Sequence, residues 1–207
     1  MEISIVVEGA LDEIIARRMV SHMKWDLASV YIKRGKHNLK RKLDGYNNAA
    51  RFAPWFTLVD LDKDADCAPS LRKDWLPDPS PYMSFRIAVR EAEAWLLADR
   101  PRLSAFMGVS SSTVPSSPES ETNPKECIVN IARRSRIAEI RKGIVPAPGS
   151  GRATGNAYVA LLADFVMREW RLDVAARNSD SLRRGLNDLK RIRQAWEAAS
   201  HSNRESR

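Results

Sequence analysis

The chain opens on a near-continuous apolar run, Ile3-Ser4-Ile5-Val6-Val7, closed by Glu8-Gly9, and then changes period. From Leu11 to Met23 the apolar residues Leu11, Ile14, Ile15, Met19 and Val20 are spaced for one face of a helix. Five residues rich in β-branched side chains, ended by Gly, are what a parallel strand covered on both faces requires. A second apolar stretch, Ser29 to Ile32, runs into Lys33-Arg34-Gly35-Lys36, and a polar helical segment over roughly 38–51 turns Leu39 and Leu43 inward. A third strand, Trp55 to Val59, ends in Asp60-Leu61-Asp62-Lys63-Asp64. A fourth, about Met83 to Val89, leads into Arg90 to Asp99, whose composition favours helix. Short apolar strands alternating with helices predict an α/β fold: a mainly parallel, Rossmann-like sheet with flanking helices, because parallel strands need crossovers.

Other segments interrupt the alternation. Residues 66–81 carry Pro69, Pro77, Pro79 and Pro81, which exclude a long regular element. Residues 108–124 are mostly Ser, Thr, Pro and Glu and predict an exposed, mobile loop. Beyond them, 124–140 and 155–171 read as helices separated by Val145-Pro146-Ala147-Pro148-Gly149-Ser150-Gly151. A last helix, from about Ser179 to Ala199, places Leu182, Leu186, Leu189, Ile192 and Trp196 on one stripe for packing. The expected organisation is an α/β core over 1–107, a flexible loop over 108–124, a helical extension packed on the core over 125–200, and a frayed tail over 201–207.

Composition changes this picture in two ways. A length of 207 residues with 43% hydrophobic content can bury a substantial core, and no stretch approaches the roughly 20 apolar residues of a membrane span. With no basic or apolar leader ahead of the first strand, the expected location is the cytoplasm, with no membrane partner. A formal charge of +8 favours polyanions such as DNA or RNA, although runs like Arg133-Arg134 and Arg183-Arg184 are equally at home on solvated helix faces. Cys67 and Cys127 have neither CxxC spacing nor a suitable His neighbour, so a zinc or redox site is not expected.

The candidate chemistry lies in the acidic strand ends. If the strands ending at Glu8 and Asp60 are neighbours, their carboxylates converge and repel, and a hard divalent cation, Mg2+ or Mn2+, would resolve the repulsion through oxygen ligands. Asp60 and Asp62 can both face such a site if the backbone has left strand geometry by then, with Asp64 as a third ligand and Glu8 as a further ligand or acid/base. Glu91 and Glu93 are further candidates, with salt-bridged helix positions as the alternative. Lys33, Arg34 and Lys36 could reach substrate phosphates, and Arg86 and Arg90 could neutralise carboxylates or a transition state, solvation and ion pairing being the plainer explanations. Asp-rich turns also form for their own backbone hydrogen bonds.

The strand ending in Glu8-Gly9 with Asp12 following, the later Asp60-Leu61-Asp62 with Asp64, and Arg90-Glu91-Ala92-Glu93 after another strand together resemble a TOPRIM domain over roughly residues 1–100. That superfamily includes topoisomerases, DnaG-type primases, recombination proteins and OLD-family nucleases, and the Glu-Gly-x-x-acid form is similar to the OLD type and to small TOPRIM-like proteins. The resemblance implies acid/base or metal-binding duty for Glu8 and Mg2+ binding by Asp60 and Asp62, extended to Asp12 and Asp64. It also implies a Mg2+-dependent nuclease, with a separate ATPase partner and a role in anti-phage defence. The chain has no room for a topoisomerase cleavage domain or a primase zinc module, and no P-loop for hydrolysing ATP. Two rivals stand beside the nuclease: a TOPRIM-like module that binds nucleic acid or protein without cutting, and a phosphotransferase with Asp60 as nucleophile.

Overall fold

In the computed structural model, which describes residues 1–205, β1 (Glu2–Val7) is followed by α1 (Ala10–His22), β2 (Asp26–Ile32), α2 (Lys36–Lys40), α3 (Leu43–Ala49) and β3 (Trp55–Asp60). Then come α4 (Ala68–Trp75), β4 (Met83–Ala88), α5 (Glu93–Leu97), α6 (Arg100–Met107), α7 (Pro124–Arg133) and α8 (Ala138–Ile144). The chain closes with α9 (Tyr158–Arg168), α10 (Leu172–Asn178) and α11 (Asp180–Glu205). The four strands make one all-parallel sheet in the order β2-β1-β3-β4, so the fold is α/β, as its apolar pattern predicts. β1 is central, and Ile3, Ile5, Val6 and Val7 are all fully buried. It pairs with β2 from Glu2 opposite Asp26 to Val7 opposite Ile32, and with β3 from Ser4 opposite Trp55 to Val6 opposite Thr57. Of the stripe visible in the sequence, α1 buries Leu11, Ile15, Met19 and Val20, together with Ala16, while Ile14 is half-buried.

Contacts divide the chain into two units at places the sequence did not suggest. The first is Met1–Ile87 together with the chain from Arg183 onward; the second is Ala88–Leu182. The expected core boundary at 107 therefore falls at 87, and most of α11 belongs to the strand-bearing unit. The reason is long-range packing. Leu189 and Ile192 of α11 are fully buried, and Gly185 lies so near Met19 that a Cβ there would meet its Cε at 3.1 Å. Ser84 Oγ donates to Asp188 Oδ2 at 2.8 Å, Arg193 Nη1 donates to the Met23 and Lys24 carbonyls at 2.7 Å each, and Tyr82 meets Trp196 edge to face.

The second unit is helical. Trp95 of α5 is fully buried; its indole N–H donates to Ser181 Oγ at 2.7 Å and its carbonyl accepts from the Trp170 indole at 3.2 Å. Segment 108–124, expected as an exposed, mobile loop, carries short 3-10 turns at Ser111–Thr113 and Pro118–Ser120, and Val114 and Pro118 are buried. One of its polar side chains caps a helix: the Glu119 carboxylate accepts from the hydroxyls of Ser179 and Ser181 and from the backbone N–H groups of Asp180 and Ser181 at the start of α11. The stretch read as one helix over 124–140 is α7 and α8, parted where the Ser135 hydroxyl accepts from the Ile137 N–H. Gly155 runs so close to the end of α8 that a Cβ would meet the Val145 carbonyl oxygen at 2.8 Å. Smaller differences concern the proline-rich excursion, which holds the two-turn α4, the 38–51 helix, which is split into α2 and α3, and α11, which continues to Glu205 where a frayed tail was expected from 201. The rest of that tail, 206–207, lies outside the described residues. Among the described residues no helix is long and apolar enough to cross a membrane.

Candidate active site at the carboxyl edge of the sheet

From β1 the chain crosses to one side of the sheet to form β2, and β3 and β4 lie on the other side. The pair β1/β3 is thus the point where strand order reverses, and in open parallel sheets a crevice opens there beyond the carboxyl ends of the strands. Glu8 follows the last residue of β1, and Asp60 is the last residue of β3. The Asp60 backbone N–H donates to Glu8 Oε1 at 3.1 Å, so the two acidic strand ends are in direct contact.

Two turns shape the site. Asp12 Oδ2 accepts from the Gly9 N–H at 2.9 Å, fastening the Glu8-Gly9 turn to the first turn of α1, where a carboxylate also suits the helix dipole. After β2, Lys33 N–H donates to the Val7 carbonyl at 2.9 Å and Gly35 N–H to the Glu8 carbonyl at 3.3 Å. Arg34 and Gly35 both take positive φ, 54° and 119°, and this sharp turn lays residues 33–36 across the end of β1. Lys36 then reaches the loop after β3, its Nζ 2.7 Å from Asp62 Oδ2 and 2.7 Å from Asp64 Oδ2. Asp62 has a left-handed φ of 49°, a break from strand geometry just after β3, and its carboxylate meets Lys36 together with that of Asp64.

Electrostatics follow from this placement. Burial pushes the Glu8 carboxyl up to about 7 against the opposing pull of the Asp60 N–H and the Lys36 ammonium, with Asp12 and Asp62 pushing the same way as burial. Burial works against the Lys36 ammonium, but the hydrogen bonds to Asp62 and Asp64 outweigh it and hold its pKa above the ordinary lysine value. The donor set is entirely carboxylate oxygen, the ligand class of Mg2+, and Asp62 and Asp64 already converge on one cation. That cation is internal. Among the described residues no three His, Cys, Asp or Glu side chains stand close enough together to hold a metal ion.

The remaining sequence-predicted residues are placed as follows. Lys36, a candidate phosphate contact with a solvated loop as the alternative, is engaged by Asp62 and Asp64. Lys33 lies over aromatic rings, 5.3 Å from the Tyr31 centroid and 5.0 Å from that of Tyr46, while Arg34 is exposed. Arg86 is half-buried on β4, and Arg90 is half-buried in the second unit. Glu91 and Glu93 have partners within that unit. Glu91 accepts from the Lys125 backbone N–H at 2.7 Å at the start of α7, and Glu93, nearly fully buried, accepts from the Tyr158 hydroxyl at 3.0 Å, with Lys125 Nζ at 3.5 Å. These are the contacts of a helix cap and of a buried carboxylate paired with a partly exposed lysine, the plainer of the two sequence readings.

A separate polar cavity of about 390 Å³ in the second unit is lined in part by Glu121, Asn123, Glu126, Cys127, Asn130 and Arg134 and holds none of the predicted site residues. Burial pushes the Cys127 thiol up to about 11, which makes it a poor nucleophile. What sequence reasoning missed is the aromatic cluster of Tyr31, Tyr46 and Trp55. Its only sequence signal is Tyr31-Ile32-Lys33 at the end of a strand. Compared with known protein families, curated proteins and solved structures, the chain matches none.

Proposed function

We propose that the chain is a Mg2+- or Mn2+-dependent nuclease, or a related phosphodiester-processing enzyme of TOPRIM type, acting on DNA or RNA. The observation that carries this reading is the direct contact between Glu8 and Asp60 at the strand-order reversal, where an open parallel sheet presents its crevice. Asp60 and Asp62 would hold the ion, with Asp64 beside them. When bound, the ion supplies charge stabilisation at the phosphoryl oxygens and a more acidic attacking water. Glu8, which exchanges its proton near neutral pH, would take a proton from the attacking oxygen or give one to the leaving oxygen. Asp12 holds the turn that aims Glu8. A separate ATPase partner and a role in anti-phage defence rest on the TOPRIM resemblance alone.

The reading is tested with purified protein, Mg2+ or Mn2+, and labelled DNA and RNA. Cleavage is expected in the wild type and abolished in Asp60→Ala and Asp62→Ala; equal activity in all three overturns it. A second reading, a module that binds without cutting, is favoured by one observation: Lys36 already neutralises Asp62 and Asp64. Nucleic-acid binding without cleavage under either metal would select it.

A further inference from the structure

Three rings meet at the β2 side of the sheet. Tyr31 stacks on Trp55 with centroids 5.6 Å apart and planes at 23°, and Tyr46 of α3 lies 5.7 Å from the first and 5.2 Å from the second. The register explains the meeting: Tyr31 opposes Val6 and Trp55 opposes Ser4, two residues apart on β1, so both rings stand on the same face of the sheet. Filling the space between sheet and α3 accounts for Trp55 and Tyr46, which are half-buried. It does not account for Tyr31, which is 40% exposed on an edge strand, or for the Lys33 ammonium over its ring.

The surroundings of the cluster are mainly basic. Arg34 follows Lys33, and Lys42 stands one helical turn before Tyr46, with Asp44 the acidic residue between them. The turn from Lys33 to Lys36 is also the one that crosses the end of β1, so four residues join the rings to the acidic edge. We infer that this cluster is a binding surface for single-stranded nucleic acid, with a base stacked on Tyr31 and phosphates taken by Lys33 and Arg34. The charge selects a polyanion, and the exposed ring selects a strand whose bases are free. Duplex bases are covered by their neighbours and cannot offer a face to a side chain, whereas every unpaired base has one, so the contact tolerates any sequence. The inference deepens the function proposed above by naming the substrate class, but the binding it describes needs neither metal nor cleavage.

The test is fluorescence anisotropy of the full chain with a labelled oligo-dT strand and with a duplex of equal length, in EDTA so that nothing is cut. Wild type is expected to bind the single strand more tightly than the duplex. Tyr31→Ala is expected to lose roughly fivefold to a hundredfold in affinity, the range for removing one base-stacking ring, and Tyr31→Phe to bind as wild type. Tyr31→Leu keeps apolar bulk without a ring and is expected to bind as weakly as the alanine variant, which separates lost stacking from a disturbed fold. Equal binding of both nucleic acids, or full affinity in Tyr31→Leu, overturns the inference. A wild type that cleaves with Mg2+ yet shows no strand preference overturns the inference alone; one that prefers the single strand but never cleaves upholds it and removes the nuclease reading.

Discussion

The Lys36 ammonium sits 2.7 Å from an Asp62 oxygen although the strands they follow, β2 and β3, are not neighbours. The lysine reaches its partner across the end of the strand between them, the strand that Glu8 follows. One flexible cation thereby neutralises the acidic string after β3 and opposes the burial that pushes Glu8 toward neutrality.

Replacing that cation has two opposite consequences. In metal-free protein, Lys36→Met leaves Asp62 and Asp64 without their ammonium; both carboxylates are about half exposed, so the cost is about 1 kcal/mol, a fall in Tm of roughly 2–4 °C for a chain of this length. Toward Mn2+ the same variant is expected to bind about tenfold more tightly, since a competing unit charge at contact distance is worth on the order of 1 kcal/mol or more. Thermal unfolding in EDTA and calorimetric titration with Mn2+ check both. Unchanged Mn2+ affinity would place any bound ion away from Asp62.

Glu8 sets a pH dependence. Its carboxyl titrates at about 7 in the fold against 4.5 ordinarily, so between those values the folded chain holds more protons than the unfolded one, and stability falls as pH rises through that window. The contribution is most favourable below about 4.5 and fully lost above about 7. Glu8→Gln keeps an acceptor for the Asp60 N–H and carries no charge. Its Tm in EDTA is expected to exceed that of the wild type at pH 8 and to match it at pH 4; a constant difference across the range would remove burial as the cause.

Glu119 predicts a purely structural effect. Its carboxylate takes two hydroxyls and two backbone N–H groups at the start of α11, and Ser181 is in turn the partner of the buried Trp95 indole. Glu119→Ala is expected to cost about 2 kcal/mol, a Tm lower by roughly 4–8 °C, with Glu119→Gln recovering part of that loss because its amide oxygen can still accept. Scanning calorimetry of the three proteins checks the order.

Much of the sheet was legible in the chain because β1 and β3 are buried on both faces and carry uninterrupted apolar runs, while α1 shows its stripe. A parallel sheet put Glu8 and Asp60 at the same edge, since both are strand-end residues, but their adjacency stood only as a condition until the strand order placed β1 beside β3. Lys36 was a candidate phosphate contact because periodicity along a chain says nothing about which strands lie side by side, and only the order β2-β1-β3 sends that lysine over β1. The ring cluster was hidden for the same reason: Tyr31, Tyr46 and Trp55 belong to three different elements. The contacts of segment 108–124 were hidden because Ser and Glu cap helices as readily as they face water, and Glu119 finds its donors some 60 residues later.

α11 has a consequence for the order in which the molecule can be made. The strands of the first unit leave the ribosome early, yet the helix that supplies Leu186, Leu189 and Ile192 to that unit is synthesised after all of the second. The contiguous second unit can complete its own contacts as it emerges, whereas the sheet, made before it, keeps the apolar surface facing α11 uncovered until α11 itself has been made. The nascent chain is therefore most exposed to aggregation during the interval between β4 and Arg183.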